Sequence, residues 1–227
     1  MTVIFSHNTR RILSWLLPFV IMPGLVCLGA LFARERGYWF VAVTMVLIAL
    51  LLYHCGFDQK RVGSRRLVLV SLMTALAVLG RFLPVIKPVS ALVVLTGVYF
   101  GSQAGFLSGA LCAFVSNIFF GQGPWTPFQM LALGLVGFFA GAFCKLLTGR
   151  WQVTLYGALS GFLYSLIMDV WTVFWATDSL APGAYFLALF TSLPHTLIYC
   201  VSNALFLWLF YPGFRAKLSR VKIVYGI

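Results

Sequence analysis

Apolar residues run along this chain in long blocks separated by short polar breaks, and most blocks are close to the roughly 20 residues a helix needs to cross a bilayer. Eight such runs are visible, at 12–32, 38–55, 67–83, 88–101, 103–120, 127–147, 152–176 and 184–211, the fourth being the shortest. The longest polar break, Gly56 to Arg66, sets the first two runs apart from the last six. The pattern predicts an all-α polytopic membrane protein: two N-terminal transmembrane helices within 1–58, a basic linker at 59–66, a six-helix core over 67–212 and a basic tail at 213–227. Arg10 and Arg11 precede the first run as in a signal peptide. That run is longer than an h-region of about 7–15 residues and a second span follows closely, so it is read as a retained helix.

Composition fixes the solvent. Hydrophobic residues make up 62% of the 227 and charged residues only 9%, against about 25% in soluble domains. The net charge of +12 is distributed along the chain, and its distribution carries topology. With the N-terminus inside, Arg10, Arg11, Lys60, Arg61, Arg65, Arg66, Lys145, Arg150, Arg215, Lys217, Arg220 and Lys222 fall on the cytoplasmic side. Arg34, Arg36, Arg81 and Lys87 are left outside, and both termini are expected in the cytoplasm. The excess of positive charge therefore reads as orientation and attraction to anionic lipid; without a soluble basic domain, nucleic acid is a poor partner. The five cysteines show no C-x-x-C or other metal-ligand spacing and read as buried free thiols, so no metal site is expected.

Small residues recur at helical spacing. Gly97, Gly101, Gly105, Gly109 and Ala113 fall every fourth position, followed by Gly134, Gly137 and Gly141 and by Gly157 and Gly161. Such rows let helices approach closely. A turn is expected near Gly101 to Gln103, so only the later half of the first row needs to form one face.

Candidate chemistry concentrates in one connector. Asn117 and the segment Gly121-Gln122-Gly123-Pro124-Trp125-Thr126-Pro127-Phe128-Gln129-Met130 place amides, turn residues and aromatic rings between two spans, on the outer side. Asn117, Gln122 and Gln129 can donate and accept hydrogen bonds, and Trp125 and Phe128 offer flat faces. The alternative is an interfacial turn carrying a belt tryptophan. Asp169 is the one acid inside a predicted span, with Trp171 and Trp175 one turn apart beyond it. Two readings stand for this group: the wall of an outward cavity, or an aromatic belt with Asp169 paired internally to Arg81 or Lys87. His195, after Pro194 in the last span, fits either a ligand contact or a helix–helix hydrogen bond. No phosphate-loop motif is present, and four acids in all, Glu35, Asp58, Asp169 and Asp178, argue against an intramembrane enzyme and leave no catalytic residue to assign.

The connector that follows Asn117, set within six core spans from about Arg66 to Pro212, resembles that of the substrate-binding S components of energy-coupling factor (ECF) transporters. The resemblance implies a small bacterial plasma-membrane subunit that captures a vitamin at the outer face and topples to deliver it inward. Its partners would be the lipid bilayer and an ECF module of one transmembrane coupling subunit and two cytoplasmic ATPases, which carry the ATP. Ser71 and Ala75 stand where the family has its A-x-x-x-A docking pair. The connector looks most like that of cobalamin-type members, with riboflavin as the flat alternative. Asn117, Gln122, Gly123, Trp125, Phe128, Gln129, Asp169, Trp171, Trp175 and His195 are then the expected ligand-binding residues. The first two helices are additional to the family's six. A solitary transporter of the same fold, and a lipid or prenyl enzyme dependent on Asp169, are the competing hypotheses.

Overall fold

The computed structural model describes residues 7–32, 37–55, 63–84, 86–177 and 181–225. Lys60, Arg61, Arg34, Arg36, Glu35, Asp58, Asp178 and the first part of the predicted linker lie outside them. The described residues are helical with short connections: α1 (His7–Leu16), a π segment (Leu17–Ile21), α2 (Met22–Phe32), α3 (Tyr38–Cys55), α4 (Gly63–Arg81), α5 (Val89–Phe100), α6 (Ser102–Phe120), α7 (Thr126–Ala142), α8 (Arg150–Thr177) and α9 (Pro182–Tyr225). The chain is an all-α polytopic membrane protein.

The eight predicted runs all coincide with helices, yet they are not eight equal crossings. Among the described residues, five helices are long and apolar enough to span a membrane: Thr9–Ala30, which joins α1 and α2 through the π segment, then Tyr38–Cys55, Ser102–Phe120, Arg150–Thr177 and Pro182–Val221. Helix α5 has 12 residues, about 18 Å of rise at 1.5 Å per residue. It need not span, because from Val89 to Gly97 it is buried. Its first turn starts inside the bundle, where the amide of Ala91 would lack an acceptor; Asn203 on α9 supplies one through Oδ1 at 2.8 Å.

Close backbone approach holds the centre together. Helices α6 and α7 run antiparallel, and a Cβ added to Gly105 would lie 2.2 Å from the Gly137 carbonyl oxygen; one added to Gly137 would lie 2.2 Å from that of Gly105. Gly97 on α5 meets the same Gly137 carbonyl, so three helices share one point that only glycine allows. The row of small residues is interrupted as expected: α5 ends at Phe100 and α6 begins at Ser102, with Gly101 between them at φ 88°. Helices α8 and α9 pair in the same way, with Gly161 against the backbone of Cys200. Helix α4 joins α6 through Thr74 Oγ1 donating to Ser108 Oγ at 3.0 Å, and Arg66 donates to the Phe100 carbonyl at the end of α5.

The additional N-terminal helices lie against α6 and α7. Met45, Ala49 and Leu52 of α3 are fully buried there, and Trp15 and Phe19 pack edge-on to Phe138. The last helix runs on beyond the predicted boundary at 211, through Pro212 to Tyr225. Proline leaves the carbonyl of Trp208 without its helical donor. Arg150 Nε fills that role at 2.7 Å while its guanidinium stacks over the Trp208 ring at 3.8 Å, and the helix continues.

Candidate functional site

The connector is a tight turn for local reasons. Gly121 ends α6 with φ 98°, Pro127 sits in the first turn of α7, and the Trp125 ring lies over Gly123, where any Cβ would be 2.3 Å from it. Thr126 ties the turn: its amide donates to the Gly123 carbonyl at 2.9 Å, and its hydroxyl donates to Gln122 Oε1 at 2.9 Å while accepting from Asn117 Nδ2 at 2.9 Å. Gln122 Nε2 then donates to the Phe114 carbonyl at 2.8 Å, binding the turn back to α6.

From Asn117 the network runs inward. Its Nδ2 also donates to Gln129 Oε1 at 2.8 Å, and the same oxygen accepts from Arg81 Nη2 at 3.4 Å. Arg81 Nη1 donates to Ser116 Oγ at 2.6 Å, and its guanidinium lies 5.3 Å from the centre of the Phe120 ring. Both hydrogens of the Asn117 amide are thus used, which fixes the orientation of the group and leaves its Oδ1 with no partner although the residue is 0% exposed. Tyr164 approaches Gln129 from α8, and its ring packs 5.1 Å from that of Tyr199, whose hydroxyl accepts from Ser90 at 3.4 Å.

An aromatic wall adjoins the network. Phe128 and Trp171 pack at 5.3 Å between centroids, and Trp171 and Trp175 at 5.3 Å. Across from them stand Val26, Gly29 and Ala30 of α2 and Tyr38 and Val41 of α3, enclosing a cavity of about 10 Å³.

The expected residues therefore divide. Asn117, Gln122, Gly123, Gln129 and Trp125 form the connector network, and Phe128, Trp171 and Trp175 the wall beside it. Asp169 lies elsewhere, since residues two apart on a helix occupy nearly opposite faces. It accepts from Ser192 Oγ at 2.8 Å and borders a lateral crevice of about 290 Å³ between α8 and α9, with Phe162, Phe186 and Phe190 among its walls. The alternative reading, Asp169 paired with Arg81 or Lys87, is not formed: Arg81 is turned to α6 and α7, and Lys87 is exposed. His195 is exposed on α9, its ring 6.2 Å from that of Tyr199. Ser71 and Ala75 lie on an exposed strip of α4 that includes Val68, Leu72 and Leu79. Among the described residues no three His, Cys, Asp or Glu side chains gather to hold a metal ion.

Sequence reasoning missed Arg81, Ser116, Tyr164 and Tyr199 as part of this cluster. A basic residue ending a span and two tyrosines inside spans were available signals. Which amides they would meet depends on helix pairing across separations such as the 35 residues between Arg81 and Ser116.

A family model described as ECF-type riboflavin transporter, S component matches residues 62–211, about two-thirds of the chain. No curated protein and no solved structure matches the chain. The matched stretch begins just before α4 and ends within α9; it leaves out α1 to α3. The match is to the riboflavin-type family, not to the cobalamin-type members that the connector was expected to resemble most.

Proposed function

The chain belongs to the family of S components of ECF-type riboflavin transporters, and on that premise we propose that it binds riboflavin, or a closely related flat heteroaromatic vitamin, in the cleft between the aromatic wall and α2 and α3, beside the connector network. The observation that carries this reading is the buried, unpartnered Oδ1 of Asn117, in a network whose Gln129 also accepts from the Arg81 guanidinium. A buried acceptor without a donor costs about 1–3 kcal/mol, a penalty that a ligand N–H can remove. The uracil-like edge of an isoalloxazine ring offers an N–H that this acceptor can take. Phe128 and Trp171 supply faces on which the ring system can stack. Cobalamin is the less suited ligand, since the corrin lacks that edge.

As an S component the chain is a transport subunit, and we place ATP hydrolysis on partner ATPases of an ECF module in the bacterial plasma membrane. The connector then faces outward and the end bearing Arg66, Arg150 and Arg215 faces the cytoplasm. The exposed strip with Ser71 and Ala75 is where the coupling subunit would seat.

Riboflavin fluorescence tests the ligand. Titrating detergent-purified protein should quench it with submicromolar affinity, because a stacked tryptophan donates an electron to the excited flavin. Asn117→Ala should weaken binding by about tenfold or more, the loss of one buried hydrogen bond. Asp169→Asn, outside the network, should leave the affinity within about twofold. Binding of cobalamin in place of riboflavin, or equal losses in the two variants, would refute the assignment.

A further inference from the structure

We propose that α2 is a hinged cover over the ligand site, so that a segment outside the family-matched residues sets how fast ligand enters and leaves; this rests on the ligand reading above. The starting point is the size of the gap. Val26 and Ala30 of α2 face Pro127, Phe128 and Trp171 across a cavity of about 10 Å³. That is room for about one water molecule, whereas sites for ligands of this size span about 300–1,000 Å³. One wall has to move before a tricyclic ring can lie against Trp171.

The other walls are pinned. The connector is fixed by the Thr126 hydroxyl and by Gln122, Trp171 is buried against Phe128, and α3 is anchored by fully buried Met45, Ala49 and Leu52. Helix α2 is anchored by fewer side chains than α3. Only Met22 and Val26 of its described side chains are buried, and it meets α3 where the Gly29 backbone lies against Val41.

A hinge lies in the right place. Below α2, Trp15 and Phe19 hold the rod to Phe138 and Phe139. The anchor runs into the π segment Leu17–Ile21, which carries Pro18 and Phe19, and Pro23 follows at the start of α2 before the covering half. A π turn and two prolines break the regular i→i−4 ladder, and such breaks are where helices bend. The anchored half can stay in place while α2 swings away from Trp171 and Trp175.

The test uses the full chain with Gly29→Leu. A Cβ at this position would lie 2.7 Å from Val41 Cγ2, so leucine forces α2 off its seat. Stopped-flow quenching of riboflavin should show association and dissociation both faster by about tenfold or more, the range over which small changes in seating energy act. Leu28→Ala, on the exposed side of the same helix, should match the native chain. Val26→Ala, which removes contact without adding bulk, should shift the rates in the same direction as Gly29→Leu.

A second readout needs no ligand. In a chain with its five cysteines replaced by alanine, Phe174→Cys places a thiol in the wall of the cleft. Its reaction with a maleimide should be slow, and should speed up when Gly29→Leu is added. A faster thiol with no riboflavin binding would uphold the cover and refute the ligand. Unchanged thiol reactivity in Gly29→Leu and Val26→Ala chains that elute as the native protein does would overturn the cover.

Discussion

Pro212 has no amide hydrogen for the Trp208 carbonyl, and Arg150 answers that deficit from another helix by a hydrogen bond of 2.7 Å and a stack of 3.8 Å. Arg150→Ala should therefore lower stability by about 1–3 kcal/mol, and Arg150→Lys should recover little of it, since an ammonium can neither stack as a plane nor reach the carbonyl in the same geometry. Melting in detergent, followed by intrinsic fluorescence, measures both; equal stability of the lysine variant would point to charge alone. At this scale the sequence makes chemistry legible and partners illegible. Asn117, Gln122 and Gln129 stand out as amides in an apolar chain, and they do form one network. Arg81 stands out too, but only as one of two candidate partners for Asp169; folding turns it to Ser116 and Gln129 and leaves Asp169 with Ser192. Nothing in the local sequence distinguishes those outcomes, because they depend on which face of α8 meets α9.

Rows of small residues at the scale of elements become contacts with specific backbone atoms. Gly137 is the most demanding position, because its missing Cβ makes room for the Gly105 carbonyl and lies 2.8 Å from Val93 Cγ1. Gly137→Leu should abolish the monodisperse peak in detergent gel filtration, whereas Gly24→Leu, with nothing within 4 Å, should keep it. A folded Gly137→Leu protein would mean that α6 and α7 can separate without loss. Element boundaries were largely legible because Pro, Gly and charge mark them, as at Gly101, Gly121 and Pro127. The end of α9 was not legible, since a proline normally stops a helix and here its freed carbonyl is satisfied from α8. Helix α5 was visible as a run, but its beginning inside the bundle depends on Asn203, more than a hundred residues away.

For the whole molecule, helices that alternate in direction gather Arg66, Arg150 and Arg215 at one end and the connector with Arg81 at the other. Contacts between elements confirm the alternation: Gly105 with Gly137, Phe128 with Trp171, and Asp169 with Ser192. The N-terminal helices occupy the α6–α7 side and leave the strip of α4 open. Ser71→Trp with Ala75→Trp should accordingly prevent co-purification with the coupling subunit and ATPases while riboflavin affinity stays within about twofold. Retained assembly would place the docking surface elsewhere.

Sequence alone determined the solvent, the helical class, nearly all helix positions and the connector as the place where polar chemistry collects, because each follows from local composition and from hydrogen-bonding demands that lipid cannot meet. Tertiary structure alone decided that the Asn117 acceptor stays unpaired, that Asp169 opens sideways, and that α2 and α3 form one wall of the cleft. Those outcomes depend on how helices far apart in the chain are rotated about their axes. Close glycine contacts fix that rotation once the bundle has packed, and no local pattern encodes it.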